Sequence, residues 1–162
     1  SEVTAAATDV KAGSLRHDPF AMLPFCGYNM GDYWAHWLEM GEKLGDKAPK
    51  IFNVNWFRLD DEGHFIWPGF GDNLRVLEWI IDRCEGKVDA EETAIGYVPK
   101  AEDINLDGLD FSIDTLKSIL EVNNDQWMKE AEGIEEFYKK FGDKLPEELR
   151  NQLNNLKARL QA

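Results

Sequence analysis

Apolar side chains recur at helical intervals between Gly31 and Leu44. Tyr33, Trp34, Trp37, Leu38 and Leu44 share one side of the wheel, which predicts an amphipathic helix ended by the Gly45 to Pro49 segment. The period then shortens. Ile51, Phe52, Val54 and Trp56 stand among β-formers between Lys50 and Trp56 and predict a strand. A second short strand, Phe65 to Trp67, is expected to return across the turn Asp60-Asp61-Glu62-Gly63 and to set Phe65 opposite the Trp56-Phe57 end. From Asn73 to Cys84 the helical period comes back. Leu74, Leu77, Ile80, Ile81 and Cys84 form the face assigned to the core, Asp72 or Asn73 serves as N-cap, and Gly86 lies just past the end. A short β-like run occupies Thr93 to Pro99, and an acidic loop surrounds Leu106 to Leu109. The carboxyl third reads as helices over Asp114 to Leu120, over Asn124 to Phe141 (Trp127, Ala131, Ile134, Tyr138, Phe141) and over Pro146 to Leu160 (Leu149, Leu153, Leu156, Leu160). The last two read as an antiparallel helical pair, and the fold class is mixed α/β.

Composition narrows the function classes. A chain of 162 residues with 43% hydrophobic residues and six Trp is one domain's worth of folded protein, enough to bury about 68–70% of its unfolded surface. A formal charge of -13, from 18 basic and 31 acidic residues, argues against a surface that tracks a phosphate backbone, so no nucleic-acid partner is expected. The acidic runs Glu130-Glu132, Glu135-Glu136 and Glu147-Glu148 read as solvated helix faces. No apolar run approaches the roughly 20 residues of a membrane span, and the first residues lack a basic region followed by an apolar core, so no membrane contact and a cytoplasmic location are expected. Cys26 and Cys84 lack metal-ligand spacing and read as buried, reduced thiols, while His36 has no second ligand at helical spacing and reads as a packing or capping residue. Arg16, His17 and Asp18 form a local charge triad whose plainer role is a turn before Pro19.

The stretch from Asn55 to Asn73 carries the chemistry. Trp56, Phe57, Phe65, Trp67 and Phe70 surround a glycine turn, and Pro68-Gly69-Phe70-Gly71 leads into the helix at Asn73. A planar base needs ring faces for its π surface and an amide or backbone group for its polar edge. Gly69 and Gly71 admit close backbone approach. Asn73 is positioned to pair with two of the polar groups on a guanine edge, but the same amide oxygen would be needed to cap the helix, and one atom cannot do both. Without a ligand the stretch is a hairpin with an aromatic core.

Its wording is specific. Asn55-Trp56-Phe57-Arg58, followed after an acidic turn by Trp67-Pro68-Gly69-Phe70-Gly71-Asp72-Asn73, strongly resembles the guanine-binding segment of the GTP-dependent phosphoenolpyruvate carboxykinase family. Ser1-Glu2-Val3-Thr4-Ala5-Ala6-Ala7, then His17-Asp18-Pro19-Phe20-Ala21-Met22, then Gly27-Tyr28-Asn29 resemble the same family in the same order, and the likeness is collinear to about Pro99. It departs at Asp72, where Glu is expected, at Leu74, where Ser is expected, and after Ala7.

The resemblance implies a nucleotide site made of Trp56, Phe57, Phe65, Phe70, Gly71, Asp72 and Asn73, and an active-site lid over residues 1–13 that includes Ser1, Glu2, Thr4, Ala5, Ala6 and Ala7. Residues 14–110 would be a mixed α/β guanine-nucleotide-binding region and 111–162 a helical region packed on it, together the carboxyl-terminal portion of a nucleotide-binding domain. The implied reaction of the parent enzyme converts oxaloacetate and GTP to phosphoenolpyruvate, GDP and carbon dioxide, a gluconeogenic step, with Mn2+ and Mg2+ as cofactors. The chain has no Gly-x-x-x-x-Gly-Lys-[Ser/Thr] loop, since its only Gly-Lys, Gly86-Lys87, precedes Val88, and it has no clustered metal ligands. It therefore reads as the carboxyl-terminal piece of a larger enzyme, inert alone, whose partners are GTP or GDP, oxaloacetate or phosphoenolpyruvate, and the rest of the parent polypeptide. A non-catalytic aromatic module for carbohydrate or peptide and a structural interaction domain are the alternatives from the residues themselves.

Overall fold

The computed structural model describes residues 22–162. Five helices and one hairpin carry the fold: α1 Met30–Leu44, α2 Asn73–Cys84, β1 Glu91–Thr93, β2 Gly96–Val98, α3 Ile113–Leu120, α4 Asn124–Tyr138 and α5 Glu147–Gln161, joined by short 3-10 turns. The described chain is mostly helical, with one small antiparallel sheet. It divides into two compact units. One holds residues 22–48 and Met128–Ala158, the other Pro49–Trp127 and Arg159–Ala162.

In the first unit α1 begins where Asn29 turns its side chain back to accept from the Gly31 N–H at 2.8 Å, while its own amide donates to the Phe141 carbonyl at 3.2 Å. One residue thus caps the helix and ties it to the segment after α4. Met30, Trp34, Phe141 and Leu145 form the core there, with the Trp34 and Phe141 rings edge-on at 4.5 Å. α1 ends at Gly45, whose φ of +51° suits a residue without Cβ. His36 is exposed and lies against the Tyr33 ring at 6.4 Å, a surface packing role.

The second unit corrects three expectations. Residues 50–56 form no strand, and the return segment pairs through a single antiparallel bridge, Leu59 with Phe65. A strand needs a neighbour for its backbone N–H and C=O groups, and Pro49 to Trp56 has none within the described chain. The β-like run near Thr93 is one arm of a hairpin instead, β1 against β2 in the register Glu92 opposite Tyr97, turning at Ala94-Ile95. The third correction concerns α2. Leu74 and Ile81, assigned to the core, are 71% and 56% exposed, and Cys84 is exposed too. The stripe that turns inward is Val76, Trp79, Ile80, with Trp79 at 4% exposure packed among Trp67, Ala101, Ile104 and Leu116. Both stripes have helical spacing, and the one carrying the largest side chain faces the core. Neither cysteine is buried: Cys26 is half-exposed and both thiols are free.

α2 closes as expected. Gly86 adopts φ +72°, and the N–H groups of Lys87 and Gly86 return to the Asp82 and Arg83 carbonyls at 2.8 and 3.3 Å, the paired closure that glycine permits. Ser112 caps α3 by accepting from the Thr115 N–H at 3.0 Å.

Two glycines of α1 predict opposite outcomes. A Cβ on Gly31 would overlap the Lys144 carbonyl oxygen, whereas one on Gly41 meets nothing. Gly31→Ala should destabilise by about 1–3 kcal/mol and Gly41→Ala should stabilise by about 0.5–1 kcal/mol, read by urea denaturation. Shifts of the same sign would refute the overlap.

Candidate functional site

The ribbon that bears the aromatic residues is folded by Asp60. Its carboxylate accepts from the N–H groups of Glu62 and His64 at 2.9 and 2.8 Å, and its own N–H and C=O pair with His64 O and Gly63 N at 2.9 and 3.1 Å. An aspartate that bonds its own downstream backbone, followed by a glycine at φ +84°, is what this reversal requires. The Ile66 N–H bonds to Arg58 O at 3.0 Å, and the Arg58 guanidinium reaches the Ile119 carbonyl at 2.9 Å, which anchors the ribbon to the end of α3.

The rings on this ribbon divide into two groups. Trp56 is half-buried against the core, and Trp67, expected among the pocket rings, is 6% exposed within it. Phe57 and Phe65 stand outside at 69% and 64% exposure, with ring centroids 5.9 Å apart and planes tilted by 59°. The Phe57 N–H is held by the Asn55 side chain at 3.0 Å. After Pro68 the chain passes Gly69 at φ +112° and ψ −159°, a conformation open to glycine alone, and the short turn Phe70–Asp72 carries Phe70 out to 93% exposure. Among the described residues no ring contact joins Phe70 to Phe57 or Phe65.

The polar candidates do not cap the helix and are engaged with other side chains. Neither Asp72 nor Asn73 gives α2 a side-chain cap. The Asp72 carboxylate receives Arg75 Nε at 3.0 Å, and the same guanidinium donates to the Asn105 and Asp107 carbonyls at 2.8 and 3.0 Å, fastening the start of α2 to the 105–107 loop. Asn73 accepts from the Trp67 indole N–H at 2.9 Å. Gly71 is exposed between them. Arg75 and Trp67 are thus the organising residues; motif reading passes over Arg75 and takes Trp67 for a pocket ring. Arg75 was legible as an acid–base pair three residues apart on a helix; the indole bond was not. The lid residues Ser1, Glu2, Thr4, Ala5, Ala6 and Ala7, and Arg16 to Asp18, lie outside the described residues.

Elsewhere in the first unit a cavity of about 320 Å³ is lined by Trp34, Trp37, Phe137 and Tyr138, and burial there pushes the Tyr138 hydroxyl above its usual pKa. Among the described residues no group of three or more His, Cys, Asp or Glu is placed to hold a metal ion, so these residues do not fit a metal site. No helix among the described residues is long and apolar enough to cross a membrane.

Comparison with known proteins agrees with the resemblance. The family profile described as phosphoenolpyruvate carboxykinase C-terminal P-loop domain matches residues 1–159. The chain is 56% identical over 162 residues to phosphoenolpyruvate carboxykinase (GTP) of Renibacterium salmoninarum (strain ATCC 33209), which covers 99% of this chain and 26% of that protein. It is 52% identical over 159 residues to the protein of the same name from Corynebacterium glutamicum (strain R), covering 98% and 26%. It is 52% identical over 162 residues to that of Treponema pallidum (strain Nichols), covering 99% and 26%. The chain spans about a quarter of the length of the curated relatives it matches. With the profile matching residues 1–159 and about half of all positions shared with each relative, the chain belongs to the GTP-dependent phosphoenolpyruvate carboxykinase family, matching its C-terminal domain.

Proposed function

We propose that this chain is the carboxyl-terminal segment of a GTP-dependent phosphoenolpyruvate carboxykinase and supplies its guanine recognition and its lid. The observation that carries the reading is the exposure of Phe57, Phe65 and Phe70 on one glycine-turned ribbon whose neighbours Trp67 and Arg75 are fixed. Burying a phenylalanine is worth about 1.5–3 kcal/mol, so three left outside on an otherwise braced element point to a surface kept for a ligand. Phe57 and Phe65 already touch, and no base fits between them. The purine therefore enters between that pair and Phe70, with Gly69, Gly71 and Asn73 along its rim. Trp56, half-buried, backs the pair from the core side, and Asp72 acts through Arg75.

In the parent reaction decarboxylation of oxaloacetate leaves an enolate that must take the γ-phosphoryl of GTP before water protonates it. Residues 1–13, small and polar, are the segment proposed to exclude that water by closing over the site. Positioning and charge neutralisation of the phosphates, with Mn2+ and Mg2+, are assigned to the remainder of the parent polypeptide, which is also the proposed cover for the exposed Leu74, Leu77 and Ile81 face of α2. Residues 14–110 are the proposed nucleotide region and 111–162 the helical region. The antiparallel pairing of α4 with α5 is supported by the Asn124 to Leu160 carbonyl bond at 3.1 Å and by the Lys157–Glu135 pair at 2.8 Å. A cytoplasmic location fits this role.

Calorimetric titration with GDP and ADP, without metal, tests the reading. GDP should bind more tightly than ADP, and Phe70→Ala or Phe57→Ala should each weaken GDP by about tenfold or more, the range of 1–3 kcal/mol per stacked base. Equal binding of the two nucleotides would favour a general aromatic module, and an unchanged GDP affinity in both variants would refute the stacking site. The isolated chain should show no GTP-dependent decarboxylation of oxaloacetate; measurable turnover would overturn the division of labour.

A further inference from the structure

The bond between Trp67 and Asn73 fixes more than the packing of an indole. An indole N–H gives a hydrogen and has no lone pair to accept one, so the atom of the Asn73 amide that meets it at 2.9 Å is the carbonyl oxygen. Of the two flip states open to an asparagine, one is selected: Oδ1 toward Trp67, and Nδ2 with its two hydrogens on the other side. Trp67 has little freedom to give way, because it is buried, stands edge-on to Phe111 at 5.6 Å and shares its cluster with Trp79 and Leu116. The neighbouring Asp72 carboxylate is turned to Arg75, whose Nε meets its Oδ1 at 3.0 Å. The half-buried amide at the head of α2 therefore turns its oxygen to Trp67 and its donors to the opposite side.

Resting on the reading of this ribbon as a base site, we propose that Trp67 is a positioning residue for base specificity: it locks Asn73 as a hydrogen-bond donor, so that the site accepts a 6-oxopurine and rejects a 6-aminopurine. A free asparagine adapts to either, and its amide matches the adenine amino group and ring nitrogen together when its oxygen is available. With the oxygen turned to Trp67, a 6-amino group on the Nδ2 side meets N–H with N–H, and two donors are left without an acceptor. A carbonyl oxygen there accepts from Nδ2. The lock is indifferent to the 2-amino group, so inosine and guanine nucleotides are equivalent as far as Asn73 is concerned. Sites built to hydrogen-bond a substrate group discriminate strongly because the wrong group leaves buried polar atoms unpaired.

Trp67→Phe keeps an aromatic ring in the cluster and removes the indole N–H together with the smaller ring, so the affinity ratio and not the stability is the readout. Calorimetric titration of the chain and of this variant with GDP, IDP and ADP should show the GDP-to-ADP affinity ratio falling by about tenfold in W67F, and Asn73→Ala should weaken GDP and IDP by the same factor. An unchanged ratio, or equal weakening of GDP and ADP, would assign Trp67 to packing alone. Should W67F not fold, the unmodified chain still decides the lock: in 15N NMR the Trp67 indole N–H should resist solvent exchange, and N73A should speed that exchange by about tenfold or more. An indole proton that exchanges freely in the unmodified chain overturns the assignment with no nucleotide present. Failure of the unmodified chain to prefer GDP sinks the base-site reading and this assignment with it, whereas a preference that survives W67F sinks this assignment alone.

Discussion

Trp67 joins the aromatic ribbon to helix α2, and the arrangement of the candidate site follows from its burial. Its ring lies in the cluster that also takes Trp79 from α2 and Leu116 from α3, and its N–H meets Asn73 at the first turn of α2. An indole placed in a core must find an acceptor for its one hydrogen or leave an unpaired donor at a cost of about 1–3 kcal/mol. Trp79 Nε1 is buried without a partner within the described chain, so the unit already carries one such donor, and the Trp67–Asn73 bond prevents a second. The single bridge at Leu59–Phe65 is too little to hold a ribbon in place by itself. Tertiary anchors do so: Trp67 at one end and the Arg58 to Ile119 bond at the other.

Because those anchors lie beneath the ribbon, the rings above it are free of structural duty. Phe57, Phe65 and Phe70 are separated from the core by the alternation of the chain around Asp60 and by the reversal at Gly69, not by weak packing. Under the proposed function this bracing matters, since a recognition surface on a braced element loses less conformational entropy on binding than one on a loose loop. Arg75 extends the bracing, since one guanidinium spans Asp72, Asn105 and Asp107 and sets the angle at which α2 leaves the turn.

Much of this was legible in the residues. The helices came from their apolar period, two of their ends from Gly45 and Gly86, and the family from an ordered wording that few unrelated chains would share. What escaped has a common cause. The period of α2 supports two stripes that share Ile80, and choosing Leu74, Leu77 and Ile81 over Val76 and Trp79 requires knowing what lies across the helix. The strand expected at residues 50–56 failed because propensity cannot supply a pairing partner. Asn73 drew two competing roles from sequence, cap and base reader, and its oxygen took a third, since a contact between side chains six residues apart through a glycine turn leaves no periodic mark.

The outer stripe of α2 bears on how the family divides its work. A helix apolar on two sides is ordinarily covered on both, and here the second side is open over Leu74, Leu77 and Ile81 in a chain a quarter as long as its relatives. The same helix starts at the amide proposed to read the base. Under the proposed function, whatever covers the outer stripe in a longer protein presses on the element that carries Asn73, so assembly of that protein and the geometry of base recognition share one helix. The Schellman closure at Gly86 and the Arg75 clamp hold its two ends, and a helix fixed at both ends transmits a load on its flank as a shift of the whole element and not as local fraying. On that reading the packing of α2, as well as the rings, belongs to the proposed site, although Asn73 is the one residue of the helix assigned to the base.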